Sequence, residues 1–213
     1  MPTYLQSITS FTDVPVTDAG VDTVTFLKAS EGVVGIFDLL GAVTFKAVKD
    51  DMTGNIAKVR KRYTDFPDKS ATLEQLVQNE WTEKARPATE GLMWLLRGLL
   101  FTCKALTYSQ NNKKAGKQAE LVDAFQQAYG ETLKQYHNLI VKGLFSAALK
   151  WCPTRDDFFR KLIGADSVSA VSEDALANAN VEMDEWLAAL NAIVTRLQAF
   201  YVEGKYEKGP FKG

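Results

Sequence analysis

PATEGLMWLLRGLLFTCKALTYS, residues 87–109, is the stretch whose reading decides the fold. Leu92, Trp94, Leu95, Leu99, Phe101 and Leu106 recur at helical spacing, and Pro87 suits a first turn. Their arc is too wide for a helix with one wet face, so the segment reads as an interior, central helix. Outward from it the chain keeps the same period and shows little of the strict alternation that marks strands.

Helices are expected near 21–30 and 33–47, broken at Gly41 or after it, then from Asp50 or Asp51 to about Tyr63, and at 71–84, before the central helix at 87–109. The lysine-bearing SQNNKKAGKQ (109–118) reads as a solvated loop. Further helices are expected at 119–150, stopping before Pro153, at 155–164 and at 173–204. The fold class is therefore all-α. Residues 1–20, with Pro2 and Pro15, read as an irregular arm, 21–204 as one domain and 205–213 as a Gly/Lys/Pro tail.

The 213 residues are 46% hydrophobic and 24% charged, with 25 Lys+Arg against 26 Asp+Glu. These values describe an ordinary globular chain and give no electrostatic reason for a nucleic-acid partner. No uncharged apolar run reaches the roughly 18 residues of a spanning helix. The start, MPTYLQSITS, lacks the regions of a signal peptide, so the expected location is the cytoplasm. Cys103 and Cys152 lack the spacing of a zinc or redox pair and read as buried thiols. His137 is the only histidine, no nucleophile motif accompanies it, and no metal or other cofactor is expected.

In DDMTGNIAKVRKRY (50–63), Asp51, Asn55 and Lys58 stand at i, i+4 and i+7 and share one helix face. Such a row is the ordinary pattern of a solvated face. It is also a set of acceptor, amide and donor matched to sugar hydroxyls, which need donors and acceptors together. Trp94 has the same two sides, as a core residue or as a flat platform for the C–H face of a sugar ring. His137 reads either as a satisfied helical histidine or as a hydrogen-bonding group for a ligand.

Three blocks, FDLLGAVTFKAVKDDMTGNIAKVRKRY (37–63), ATEGLMWLLRGLLF (88–101) and YHNLIVKGLFSAALKWCP (136–153), together resemble the glycolipid transfer protein family in order and spacing. Val14-Pro15 near the start and Arg60-Lys61-Arg62 after the lysine resemble its fungal members. The resemblance implies a two-layer helical sandwich of about eight helices that encloses a lipid-chain pocket, with no catalysis. It implies that Asp51, Asn55 and Lys58 hold sugar hydroxyls, that Trp94 lies under the ring, and that His137 and Asp51 meet the ceramide amide. The hydrocarbon pocket would then be lined by Phe37, Phe45, Val48, Phe101, Leu106, Phe145, Ala148, Leu149 and Phe158, residues that composition alone describes as core.

Where animal members carry a tryptophan two residues after the histidine, this chain has Leu139, followed by Ile140. With Lys142 and Trp151 these residues are expected to make a transient, peripheral membrane contact. The tail KYEKGPFKG departs from the animal pattern. VVGIFDLLG (33–41) faintly resembles a motif read by endoplasmic-reticulum tethers. Two alternatives accompany the glycosphingolipid reading. One is ceramide-1-phosphate as cargo, with Arg97 and Arg60–Arg62 as cations, and the other is a helical adaptor without lipid.

Overall fold

Side-chain caps set where most helices begin, because each supplies an acceptor to a first-turn N–H that has no partner within its helix. The computed structural model describes residues 2–117, 120–165 and 171–207. Within them α1 (Tyr4–Ser7) starts at Thr3 and α2 (Thr23–Gly41) at Asp22, whose side chains accept from Gln6 and Thr25. Next come α3 (Lys46–Asp65) and α4 (Leu73–Trp81), the latter capped by Thr72. After α5 (Pro87–Lys114) and α6 (Leu121–Glu131), Asn138 caps α7 (Leu139–Leu149). Thr154 caps α8 (Arg155–Ile163), which ends at Gly164 with φ +75°, and Ser172 caps α9 (Glu173–Gly204).

The all-α expectation holds. Helix α5 packs on α3 and α6, and on α9 and α4, while α2 packs mainly on α3 and α8 mainly on α9. The helices therefore stack two deep about α5. Its N-terminus is fixed from outside. The buried Glu80 carboxylate of α4 accepts the Ala88 N–H at 3.1 Å, the Thr89 N–H at 2.6 Å and the Thr89 hydroxyl at 2.7 Å. From α9, the Tyr201 hydroxyl donates to the Thr89 carbonyl at 2.8 Å.

Several sequence boundaries are corrected. Helix α2 runs unbroken across the gap expected between 30 and 33 and ends at Gly41, where the break was expected; Ser30 sits inside it and donates to the Phe26 carbonyl. Helix α3 begins at Lys46, ahead of Asp50. The loop expected at 109–118 continues α5 to Lys114, with Ser109 and Gln110 buried; Gln118 lies outside the described residues. The helix expected at 119–150 is two, α6 and α7, separated at 132–138.

The described part of the arm, 2–20, is ordered rather than irregular. It carries α1, a 3-10 turn at Phe11–Asp13 and a two-residue strand, β1 (Val16–Thr17), paired antiparallel with β2 (Gly20–Val21). Tyr4 of α1 donates to the Gly32 carbonyl at 2.8 Å, and a Cβ on Gly35 would overlap its hydroxyl at 1.9 Å. Of the expected tail, 208–213 lie outside the described residues.

Glu80→Ala leaves the Ala88 and Thr89 N–H groups buried without their acceptor. The expected loss is about 2–3 kcal/mol of stability, read as a lower denaturant midpoint at unchanged m-value. An unchanged midpoint would remove Glu80 from this role.

Candidate functional site

Glycine decides how closely α3 and α5 approach. A Cβ on Gly91 would lie 3.1 Å from Cβ and Cδ of Lys58 and 3.3 Å from the Asn55 carbonyl oxygen, and one on Gly98 would lie 3.6 Å from Cγ of Met52. Gly91, Trp94 and Gly98 stand at i, i+3 and i+7 and share a face of α5. The indole of Trp94 therefore belongs to the face of α5 that lies along Met52, Asn55 and Lys58.

The polar row of α3 is hydrogen-bonded along its length. Asn55, buried to 3% exposure, donates from Nδ2 to Asp51 Oδ2 at 3.2 Å, and Lys58 Nζ donates to Asn55 Oδ1 at 3.1 Å. Asp51 and Lys58 are exposed, so one buried amide joins a carboxylate and an ammonium that both reach the surface. Partial burial raises the Asp51 pKa, opposed by the Lys58 charge and the Asn55 hydrogen bond. Asp51 keeps further acceptor capacity, and Lys58 further donors.

Half-buried Trp94 is held by a cluster that the sequence reasoning missed. The Tyr136 ring stands edge-on to it at 5.8 Å and 81°. Arg97, buried to 3% exposure, lies 4.6 Å from the Trp94 centroid and 3.8 Å from that of Tyr136, and it is hydrogen-bonded to Tyr136. Its guanidinium pKa is lowered by burial, with Tyr136 and Glu207 acting in the other direction. The only signal for Tyr136 was its place immediately before His137.

His137 is partly buried. Its Nδ1 lies 3.1 Å from the Tyr129 hydroxyl, and its pKa is lowered by burial and by the Lys142 charge. Tyr129 stacks on Phe145 at 4.1 Å and 7°. From Phe145 the rings continue to Phe101 at 5.2 Å, Phe125 at 5.6 Å, Phe45 at 6.5 Å and Phe37 at 5.6 Å. The residues expected to line a hydrocarbon pocket thus pack ring against ring. Leu106, Leu149 and Phe158 are buried as well, Phe158 against Phe159, while Val48 and Ala148 are partly buried.

At α7, whose Phe145 and Leu149 face the core, other apolar residues turn outward. Leu139, Ile140 and Leu144 are 85%, 75% and 61% exposed, and Trp151 beyond the helix is 77% exposed. Lys142 is half-buried on the same helix. Trp151 is therefore not a core residue. Among the described residues no helix is long and apolar enough to cross a membrane.

The cations set aside for a phosphate are engaged elsewhere. Arg60 pairs with Glu31 at 2.5 Å, Lys61 with Asp65 at 2.7 Å and Arg62 with Glu83 at 2.7 Å.

The family model described as glycolipid transfer protein matches residues 21–164. A glycolipid transfer protein of Aureobasidium melanogenum is 43% identical over 191 residues, covering 90% of this chain and 88% of its own. The crystal structure of HET-C2, a fungal glycolipid transfer protein, superposes with a TM-score of 0.83 at 40% identity, covering 97% of this chain and all of the other. A structure of FAPP2, described as selecting simple glycosphingolipids with the same fold, gives 0.84 at 30% identity over 98% of this chain and 99% of that one.

Because His137 is the only histidine, one resonance reports its titration. Its midpoint is expected below the ordinary value of about 6.5, and Lys142→Gln is expected to raise it. Below that pH the unfolded chain takes up a proton that folded His137 resists, so this group's contribution to stability falls as pH falls from about 6.5. A midpoint at or above the ordinary value in an NMR titration would contradict the burial.

Proposed function

This chain belongs to the glycolipid transfer protein family, and we propose that it binds glycosphingolipids and carries them between membranes without vesicles. The observation that carries this reading is the hydrogen-bonded Asp51–Asn55–Lys58 row, packed along the face of α5 that bears Trp94. A sugar ring presents hydroxyls at its rim and C–H groups on its face. Asp51 accepts from those hydroxyls, Lys58 donates to them, and the indole covers the apolar face. His137, with Asp51, meets the ceramide amide, and the chains enter among Phe37, Phe45, Val48, Phe101, Leu106, Phe145, Ala148, Leu149 and Phe158.

No bond of the lipid is broken in this role, which is that of a carrier rather than an enzyme. Carriage requires touching a bilayer and leaving it. Leu139, Ile140, Leu144 and Trp151 supply the apolar contact, and Lys142 favours anionic lipid. The working site is the cytoplasmic face of membranes, bound transiently. An endoplasmic-reticulum tether contact through 33–41 is not part of this reading, because the segment is helical and Phe37 and Leu40 are at most 1% exposed.

Ceramide-1-phosphate fits the site less well. A phosphate wants several charge-assisted donors converging on one point. Arg97 here lies against two ring faces, and the 60–62 run pairs with carboxylates. The deciding experiment offers fluorescent galactosylceramide, ceramide-1-phosphate and phosphatidylcholine separately in vesicle-to-vesicle transfer. Galactosylceramide alone is expected to move; movement of the phosphate lipid would transfer the assignment to the runner-up, and movement of none would favour the adaptor.

Asp51→Val is expected to keep the fold and lower galactosylceramide transfer about tenfold or more, the scale of a lost charged hydrogen bond. Transfer at the parent rate would remove Asp51 from the headgroup site. Trp151→Ala is expected to reduce partitioning to anionic vesicles in sedimentation while a preloaded complex stays intact. Equal partitioning would exclude the docking role.

A further inference from the structure

Tyr129 sits where neither the headgroup nor the chains require a phenol. Its hydroxyl lies 3.1 Å from His137 Nδ1, and its ring is stacked on Phe145 at 4.1 Å and 7°. Phe145 in turn stands edge-on to Phe101 of α5 at 5.2 Å and 76°. The phenol is therefore fixed in plane by an aromatic core, with its one polar atom directed at one nitrogen of the chain's one histidine.

A neutral imidazole has one N–H and one bare nitrogen, and the hydrogen bond made by one ring nitrogen decides what the other offers. A phenol is the better donor and an imidazole nitrogen the better acceptor, so the shared proton stays on the oxygen. We propose that Tyr129 is a positioning residue: by donating to Nδ1 it holds His137 in the tautomer that carries its proton on Nε2. The Nε2–H is then the ring's donor and fits an amide carbonyl, as in the linkage of a ceramide. In the opposite tautomer the bare Nε2 would repel that carbonyl oxygen. Burial keeps both partners in the required state, since it raises the Tyr129 pKa and lowers that of His137.

The inference rests on the glycosphingolipid reading for its ligand but not for its first test. In full-length protein labelled with 15N-histidine, a long-range proton–nitrogen spectrum reports which nitrogen of His137 is protonated. The expected result is a protonated Nε2 and an unprotonated Nδ1 shifted upfield by the hydrogen bond it accepts. Tyr129→Phe keeps the stacked ring and removes the oxygen. It is expected to return Nδ1 to the position of a free unprotonated nitrogen and to lower galactosylceramide transfer about fivefold, with the denaturant midpoint little changed.

A proton on Nδ1 in the parent protein would overturn the proposal. So would a Tyr129→Phe variant whose Nδ1 resonance does not move, or one whose resonance moves while transfer stays at the parent rate. If the parent protein transfers no galactosylceramide at all, the failure belongs to the glycosphingolipid reading, and the spectrum still decides the tautomer.

Discussion

At Gly91 the backbone of α5 comes so near α3 that a single methyl would press on the Lys58 stem and on the Asn55 carbonyl oxygen. That approach has consequences well beyond packing. It lays the Lys58 stem across α5 one turn before Trp94, so the ammonium reaches back to Asn55 while still meeting the surface. Asn55, covered by the helix pair, must satisfy its amide within the row, and it does so by bridging Lys58 and Asp51. A larger residue at 91 would part the helices and separate the aromatic platform from the polar row. The Glu80 carboxylate secures the same geometry from the other end of the segment, by holding the first turn of α5.

The charge arrangement around this interface bears on the preference proposed for it. Arg97 lies over the indole, yet it is buried against two aromatic faces, where cation–π attraction and the Tyr136 hydrogen bond occupy it. The three basic residues that follow the row are each matched with a carboxylate. The surface beside Trp94 thus presents one carboxylate and one ammonium, spaced along a helix and joined by the buried Asn55 amide. Spaced single donors and acceptors suit a ring of hydroxyls, whereas a dianion calls for cations brought to one point.

Much of this was legible in the sequence, and the failures have physical causes. The i, i+4, i+7 spacing of Asp51, Asn55 and Lys58 survives intact because α3 is a regular helix through that region. The C-terminal end of α5 was misread because SQNNKK is polar. Gln110 there bonds to Asp184 and to the Asn180 carbonyl, and it accepts from Arg155, so tertiary partners extend the helix where composition argues for a loop. The break between α6 and α7 carries no proline or glycine. Its one cue was Asn138, whose side chain caps Val141 and could have been read as a helix start. Tyr129 and Tyr136 were invisible as candidate site residues because their contacts run between a helix and the 132–138 connection, and spacing along one helix cannot report those.

The ring-to-ring packing from Tyr129 to Phe37 bears on how a carrier of this kind selects its cargo. Moving a hydrocarbon chain from a bilayer into a protein core exchanges one apolar surrounding for another, so burial, although worth about 0.8 kcal/mol per methylene against water, nearly cancels. Aromatic contacts given up to admit the chain cost about 0.5–1.5 kcal/mol each and are not returned by the bilayer. On the carrier reading, the bonds made by Asp51, Lys58 and His137 must offset that opening cost, and a lipid without sugar and amide lacks the means to meet it. Selectivity would then reside in which lipids can open the core at all. That arrangement places the most stringent demand on the residues that couple headgroup to core, and Tyr129, bonded to His137 on one side and stacked on Phe145 on the other, stands at that junction.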